Sequence, residues 1–214
     1  MIVFFHENAG NLGLRLDYFE SLYHGLGVDI LAFAYRGYSD STGAPTEAGL
    51  RADAHAIMRY VQDELAETYR DNGGIFLLGR SLGGAVAVEA LTGNAKSMVD
   101  GVILENTFTS IPDMVDHIFV LVKHVKGLIL RIGWRTIDIV PEIDIPILFV
   151  GGKQDEIVPY EHTVQLYDAA KGARFKDLFT VNRGTHGDTW YVQLDDYLDK
   201  LRTFMDKANT EMTQ

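Results

Sequence analysis

The sequence predicts an α/β fold: a mostly parallel, doubly wound sheet of about six strands with helices on both faces. Short apolar runs of strand character alternate with longer segments whose apolar residues recur at helical spacing. Strands so short and so continuously apolar are typical of parallel sheets that are covered on both faces. The chain has no internal repeat, low-complexity segment or Pro- and Ser-rich linker, so we expect residues 1–214 to form a single domain.

Six segments have strand character, each an apolar run that is too continuous for a surface strand. They are residues 2–5, 29–34, 74–78, 101–104, 146–150 and 177–181. In a doubly wound sheet, the first and third of these strands flank the topological switch point, where a cleft opens at the carboxyl ends of the strands. We therefore expect the functional residues to follow these strands directly.

A long helix is predicted between the second and third strands. Thr46 has the residue type of an N-cap, and Glu47 places a negative charge in the first turn. Apolar residues then follow at helical spacing, namely Leu50, Ala54, Ile57, Met58, Val61 and Leu65. The helix is expected to end near residues 71–74.

The segment between the fourth and fifth strands, about residues 111–142, is longer than a single crossover helix requires, and we expect it to form a short lid. Its 118–135 portion combines apolar residues with cationic ones in an otherwise acidic protein. Two interpretations stay open. The segment is either a scaffold helix with solvated charges or an apolar surface for an acyl chain or for peripheral contact with a membrane.

Composition excludes several classes of function. The formal net charge of −11 argues against a nucleic-acid partner. The absence of cysteine excludes disulfides, Cys-ligated zinc and a thiol nucleophile, and we predict no metal and no cofactor. No signal peptide or span of about 20 apolar residues is present in this chain, so a cytoplasmic or membrane-associated location is expected.

The pentapeptide Gly79-Arg80-Ser81-Leu82-Gly83 is the strongest chemical signal in the chain. It follows an apolar strand and precedes a helical segment, which is the context of a nucleophile elbow. In such a turn the serine is strained and exposed, and the flanking glycines let strand and helix approach closely. Ser81 is therefore the predicted nucleophile.

A serine nucleophile needs a base, and the base needs an acid that orients it. His186 follows the sixth strand and Asp155 follows the fifth, so that the order along the chain is Ser, Asp, His. We predict His186 as the base and Asp155 as the acid. Three other acids stay open as alternatives to Asp155, namely Glu105, Glu156 and Asp188; of these, Asp188 better suits a cap for a helix that starts near Thr189.

Acyl transfer also requires two N–H groups that stabilise the oxyanion. Leu82, the residue after the nucleophile, is expected to supply one. The second is expected from the loop at residues 6–11, where Asn8 is the first choice and Ala9 the alternative.

These motifs together resemble those of α/β-hydrolase-fold serine hydrolases, closest to the bud-emergence-type branch, over nearly the whole chain. The segments that carry the resemblance are residues 6–11, 35–39, 79–84, 155–159, 184–186 and 188–190. The resemblance implies a catalytic triad and an ester or thioester substrate, either a lipid or an acylated protein. It also implies that several relatives carry a membrane anchor ahead of this domain.

Two departures from the family pattern lead to further expectations. Glu7 stands where the family usually has glycine, and a carboxylate turned toward the oxyanion site would oppose the anion. The chain also starts at what resembles the third strand of the fold, so that the strand at residues 29–34 becomes an exposed edge that favours homodimerisation. The alternative function is accordingly a low-activity or non-catalytic protein that uses the fold for binding or as a scaffold.

Overall fold

The described residues form one six-stranded, all-parallel sheet in a computed structural model of the chain. The structure describes residues 1–70, 72–93, 97–118 and 133–212. The strands are β1 (Ile2–Phe5), β2 (Ile30–Ala32), β3 (Phe76–Arg80), β4 (Gly101–Glu105), β5 (Ile147–Gly152) and β6 (Lys176–Val181). Their order across the sheet is β2-β1-β3-β4-β5-β6.

Helices occupy both faces of this sheet. They are α1 (Leu16–Leu26), α2 (Glu47–Tyr60), α3 (Ala66–Arg70), α4 (Leu82–Ala90), α5 (Ile111–Ile118), α6 (Thr136–Ile139), α7 (Tyr160–Ala169), α8 (Thr189–Val192) and α9 (Leu194–Met212). Helical turns of other types lie at Leu12–Arg15, Val61–Leu65 and Val140–Glu142. Residues from α2, α4 and α7 pack on one face of the sheet, and residues from α1 and α9 pack on the other.

The central strand β1 shows why both faces must be covered. Its side chains alternate between the two halves of the core: Val3 and Phe5 pack on one face, and Ile2 and Phe4 pack on the other. All four are completely buried. Since β1 lies between β2 and β3, the chain reverses its direction of progress across the sheet there, which confirms the predicted switch point.

The predicted helix start is confirmed, whereas several boundaries differ. The Thr46 hydroxyl accepts a hydrogen bond from the Gly49 N–H at 3.1 Å, as an N-cap does. The long helix is interrupted by a π-type turn at Val61–Leu65 before it resumes as α3. The strand β3 continues to Arg80 because Gly79 and Arg80 pair in register with β4.

The two outer strands are less buried than the sequence predicted. The strand β2 has only three residues, and like most of β6 it is half-buried. Each is the outermost strand of the sheet formed by the described residues, so that one side of each lacks a covering strand. A continuous apolar run therefore indicated the strands correctly but not their depth in the sheet.

The predicted lid is described only at its ends. The segment begins with α5 and ends with α6 and the turn at Val140–Glu142. Residues 119–132, which carry most of the proposed 118–135 membrane-contact segment, lie outside the described residues. Within the part of the chain that the structure describes, no helix combines the length and the hydropathy needed to cross a bilayer.

Candidate active site

The turn between β3 and α4 holds Ser81 in a strained conformation. Its φ of 53° and ψ of −119° lie in a region that residues other than glycine rarely adopt. Glycine is required around it, because a Cβ at Gly83 would lie 1.9 Å from the Phe5 carbonyl oxygen. A Cβ at Gly79 would lie 2.4 Å from the Gly83 carbonyl oxygen. The close approach of strand and helix thus fixes the serine at the carboxyl end of the sheet.

Three side chains from separate loops meet at this turn. His186 Nε2 lies 3.0 Å from Ser81 Oγ, and His186 Nδ1 lies 2.8 Å from Asp155 Oδ2. The loops follow β3, β5 and β6, whose carboxyl ends lie at the same edge of the parallel sheet. The structure therefore brings together the residues that the sequence predicted as nucleophile, acid and base.

The Asp155 carboxylate is held by its own loop. Its Oδ1 accepts hydrogen bonds from the backbone N–H groups of Ile157, at 2.9 Å, and Val158, at 2.7 Å. The side chain of Asp155 is 1% exposed and that of His186 is 14% exposed. Because one carboxylate oxygen is anchored by two N–H groups, the other is left in a fixed position toward the imidazole.

The three alternative acids have other roles. Glu156 accepts a hydrogen bond from the His186 backbone N–H at 3.3 Å rather than from the ring. Asp188 directly precedes α8, and its carboxylate accepts a hydrogen bond from the Thr185 N–H at 2.7 Å. The predicted cap of α8 by the Asp188 side chain is therefore not formed. Glu105 is completely buried beneath the site.

The two predicted oxyanion residues line the same cavity as Ser81. Leu82 begins α4, and the first N–H groups of a helix have no intrahelical acceptor. A side-chain hydrogen bond holds Asn8 in place: its Oδ1 accepts a hydrogen bond from the Tyr38 hydroxyl at 2.5 Å. The carbonyl of the alternative, Ala9, accepts a hydrogen bond from Arg15.

Glu7 forms ion pairs on the loop that carries Asn8. Its carboxylate lies 2.9 Å from Arg15 Nε and 4.0 Å from Arg80 Nη1. Burial alone raises the pKa of Glu7, yet Arg80 and Arg15 together bring this pKa below its ordinary value. The carboxylate that we expected to oppose an oxyanion is thus paired with two guanidinium groups.

Sequence reasoning missed the buried cation beneath the site. Arg80 Nε lies 3.0 Å from Glu105 Oε1, and Arg80 Nη2 donates a hydrogen bond to the Gly187 carbonyl at 3.2 Å. The Tyr18 ring lies against the guanidinium, with the Arg80 Cζ 5.2 Å from the ring centroid. The Tyr197 hydroxyl donates a hydrogen bond to the Glu105 carboxylate at 2.7 Å. The signal in the sequence that could have predicted this ion pair is an arginine and a glutamate at the carboxyl ends of two apolar strands.

A cavity of about 270 Å³ opens beside Ser81. Most of the residues that line it are apolar, and they include Leu50 on α2, Phe108 just before α5, Ile111 and Met114 on α5, and Trp134 just before α6. An apolar cavity with a few polar groups at one end is typical of a small-molecule site. This one can hold an apolar group next to the serine hydroxyl.

Comparison with known proteins agrees with the fold. The profile of the alpha/beta hydrolase family matches residues 2–205. The alpha/beta hydrolase domain-containing protein WAV2 of Arabidopsis thaliana is 36% identical over 98% of this chain and 71% of its own length. Protein bem46 of Schizosaccharomyces pombe is also 36% identical, over 88% of this chain and 62% of its own length.

A solved structure has the same fold as this chain. The esterase Pf2001 of Pyrococcus furiosus superposes with a TM-score of 0.74 at 17% identity, covering 96% of this chain and 82% of the esterase. At that identity the likeness concerns the fold. Together with the family match it supports a hydrolase. The chain therefore belongs to the α/β hydrolase family, in its bud-emergence-type branch.

Proposed function

We propose that this protein is a serine hydrolase that cleaves a carboxylic ester or thioester, in a lipid or an acylated protein, through an acyl-enzyme. One observation carries the proposal: hydrogen bonds connect Ser81 to His186 and His186 to Asp155, beside an apolar cavity. This is the arrangement by which a neutral imidazole activates a hydroxyl.

In the first step, His186 acts as the general base. The contact of Nδ1 with the Asp155 carboxylate assigns the proton to Nδ1, which leaves Nε2 free to accept the proton of Ser81 Oγ. Ser81 Oγ bonds to the substrate carbonyl carbon, and the carbonyl oxygen becomes an anion. Asp155 stabilises the imidazolium that forms when this proton is transferred.

The oxyanion is stabilised by backbone N–H groups in the proposed mechanism. We assign them to Leu82, at the start of α4, and to Asn8, on the loop after β1. The dipole of α4 adds a partial positive charge at the same place. Donors that are already oriented need no rearrangement when charge develops.

Collapse of the tetrahedral intermediate releases the alcohol or thiol, which takes the proton from His186 Nε2. The acyl group remains on Ser81 Oγ, with its apolar part in the cavity beside Ser81. A water molecule then gives its proton to His186 and attacks the acyl carbon. The carboxylic acid leaves, and the serine regains its proton.

The test is labelling by a fluorophosphonate probe and turnover of p-nitrophenyl esters, in the natural chain and in Ser81→Ala. We expect labelling that disappears in Ser81→Ala and a loss of kcat by roughly 10³-fold or more. If the folded natural chain neither reacts with the probe nor cleaves any ester, hydrolysis is excluded and the alternative binding or scaffold role is favoured.

A matched pair identifies the acid. Asp155→Asn should lower kcat by about 10⁴-fold, because an amide stabilises the wrong tautomer of the imidazole. Glu156→Gln preserves an acceptor for the His186 backbone N–H and should leave kcat within a few-fold. Equal losses in the two variants would contradict the assignment of Asp155.

A further inference from the structure

Trp134 forms a wall of the cavity beside Ser81 in an unusual conformation. Its φ is 36°, in the left-handed region that bulky residues rarely adopt, and its side chain is almost completely buried. A residue persists in such a conformation only where the surrounding structure holds it there. The contacts of Trp134 therefore show what fixes this wall.

A group of charged residues on α2 and α4 holds the tryptophan. The Glu47 carboxylate accepts hydrogen bonds from the backbone N–H groups of Gly133, at 2.7 Å, and Trp134, at 3.4 Å. Arg51 pairs with Glu47 at 2.8 Å, and its guanidinium carbon lies 5.1 Å from the centroid of the Trp134 ring. Arg51 also pairs with the nearly buried Glu89. We call Glu47, Arg51 and Glu89 the tryptophan anchor.

The charges of the anchor are directed toward the protein rather than toward a substrate. Burial raises the pKa of Glu47, but the Gly133 N–H and Arg51 bring this pKa below its ordinary value. Glu47 also lines the cavity, yet both of its oxygens already accept hydrogen bonds. The wall that an acyl chain meets there is consequently the indole.

We infer that Trp134 is the specificity-determining residue of this site, where its anchored indole limits the length of the acyl chain that the cavity accepts. The inference rests on the proposed function and names its substrate class: esters or thioesters of short-chain and medium-chain acids. The cavity of about 270 Å³ lies just below the range of roughly 300–1,000 Å³ that is usual for small-molecule sites. Glu47 and Arg51 act as positioning residues through the indole.

The first experiment measures kcat/KM for p-nitrophenyl butanoate, octanoate and dodecanoate. In Trp134→Ala and Trp134→Leu, the ratio of dodecanoate to butanoate turnover should rise at least tenfold, since each methylene newly accommodated in an apolar pocket changes specificity by roughly that factor. Trp134→Phe keeps an aromatic wall and should change the ratio less. An unchanged ratio in the folded alanine and leucine variants would overturn the inference.

The tryptophan anchor is tested by the same ratio of dodecanoate to butanoate turnover. Glu47→Gln removes the charge that holds Gly133, Trp134 and Arg51. It should raise the ratio, as Trp134→Ala does, but by a smaller factor. Glu64→Gln, at an exposed glutamate of the Val61–Leu65 turn, is the control and should not change it. A purely structural role would lower the thermal midpoint of Glu47→Gln without altering the preference for chain length, and that result would overturn the role of the anchor.

A binding measurement separates this inference from the proposed hydrolysis. In a Ser81→Ala background, calorimetric titration with butanoate and dodecanoate reports the cavity alone. Tighter binding of dodecanoate after the additional change Trp134→Ala would support the wall, and if the natural chain cleaved no ester, the hydrolase would be excluded at the same time. Ser81-dependent cleavage without any change in chain-length preference would support the hydrolase and exclude the wall.

Discussion

Glu7 shows how single residues decide the electrostatics beneath the proposed oxyanion site. Two glutamates, Glu7 and Glu105, contact two arginines, Arg15 and Arg80, so that the four formal charges cancel. Arg15 and Arg80 have side chains that are 4% and 7% exposed, and such buried cations are stable only when they are paired. The departure from glycine at position 7 is therefore compensated by its partners.

Replacing Glu7 by Gln should destabilise the protein at neutral pH. The change leaves Arg15 and Arg80 short of one carboxylate, so the free energy of unfolding should fall by roughly 1.5–3 kcal/mol. Because the pKa of Glu7 is lowered by folding from its ordinary 4.5, its contribution is present above that pH and is lost as the pH falls through the folded value. Urea unfolding at about pH 7 and pH 3.5 checks this.

The pH dependence provides the control for Glu7→Gln. The difference between the natural chain and the variant should be largest at neutral pH and should shrink at the acidic pH. A difference of the same size at both pH values would contradict the ion-pair explanation. A rise in kcat for the variant would show instead that the Glu7 carboxylate opposes the oxyanion.

At the scale of elements, the sequence predicted the parts that are local. The strand, turn and helix around Ser81, and the loops that carry Asp155 and His186, are each encoded by a few neighbouring residues. Long-range pairings were not predictable in this way. The hydrogen bond that the Gly133 N–H donates to Glu47 joins residues 86 positions apart, and the Arg80–Glu105 pair depends on the register of two strands.

Gly83→Ala tests the close approach of α4 to β1. The added Cβ would lie 1.9 Å from the carbonyl oxygen of Phe5, a backbone atom that cannot move aside. Overpacking of this kind should destabilise the protein by about 3 kcal/mol or more. Gly187→Ala is the control, since its Cβ would meet no atom within 4 Å, and should change stability by less than about 0.5 kcal/mol. Similar unfolding midpoints for the two variants would contradict the predicted clash.

At the scale of the whole molecule, one edge of the sheet has the properties of a contact surface. The strand β2 has no neighbour on its outer side among the residues that the structure describes. Exposed apolar side chains from α1 and the turn before it include Leu14, Leu16 and Tyr23, and a shallow groove beside Ile30 is lined by Leu16 and Tyr23. Unpaired backbone groups next to apolar surface favour pairing with a second copy.

We therefore predict a homodimer that forms through the edge strand β2. The net charge of −11 opposes association, and salt screens this repulsion over a Debye length of about 10 Å at 0.1 M. Light scattering should show a dimer whose population increases with protein concentration and with salt. Leu16 is 63% exposed, and the substitution Leu16→Lys, which places a charge on this surface, should weaken the dimer. The control substitution Tyr60→Lys, on α2, should leave the dimer unchanged. A monomer at every concentration and salt level would exclude pairing at this edge.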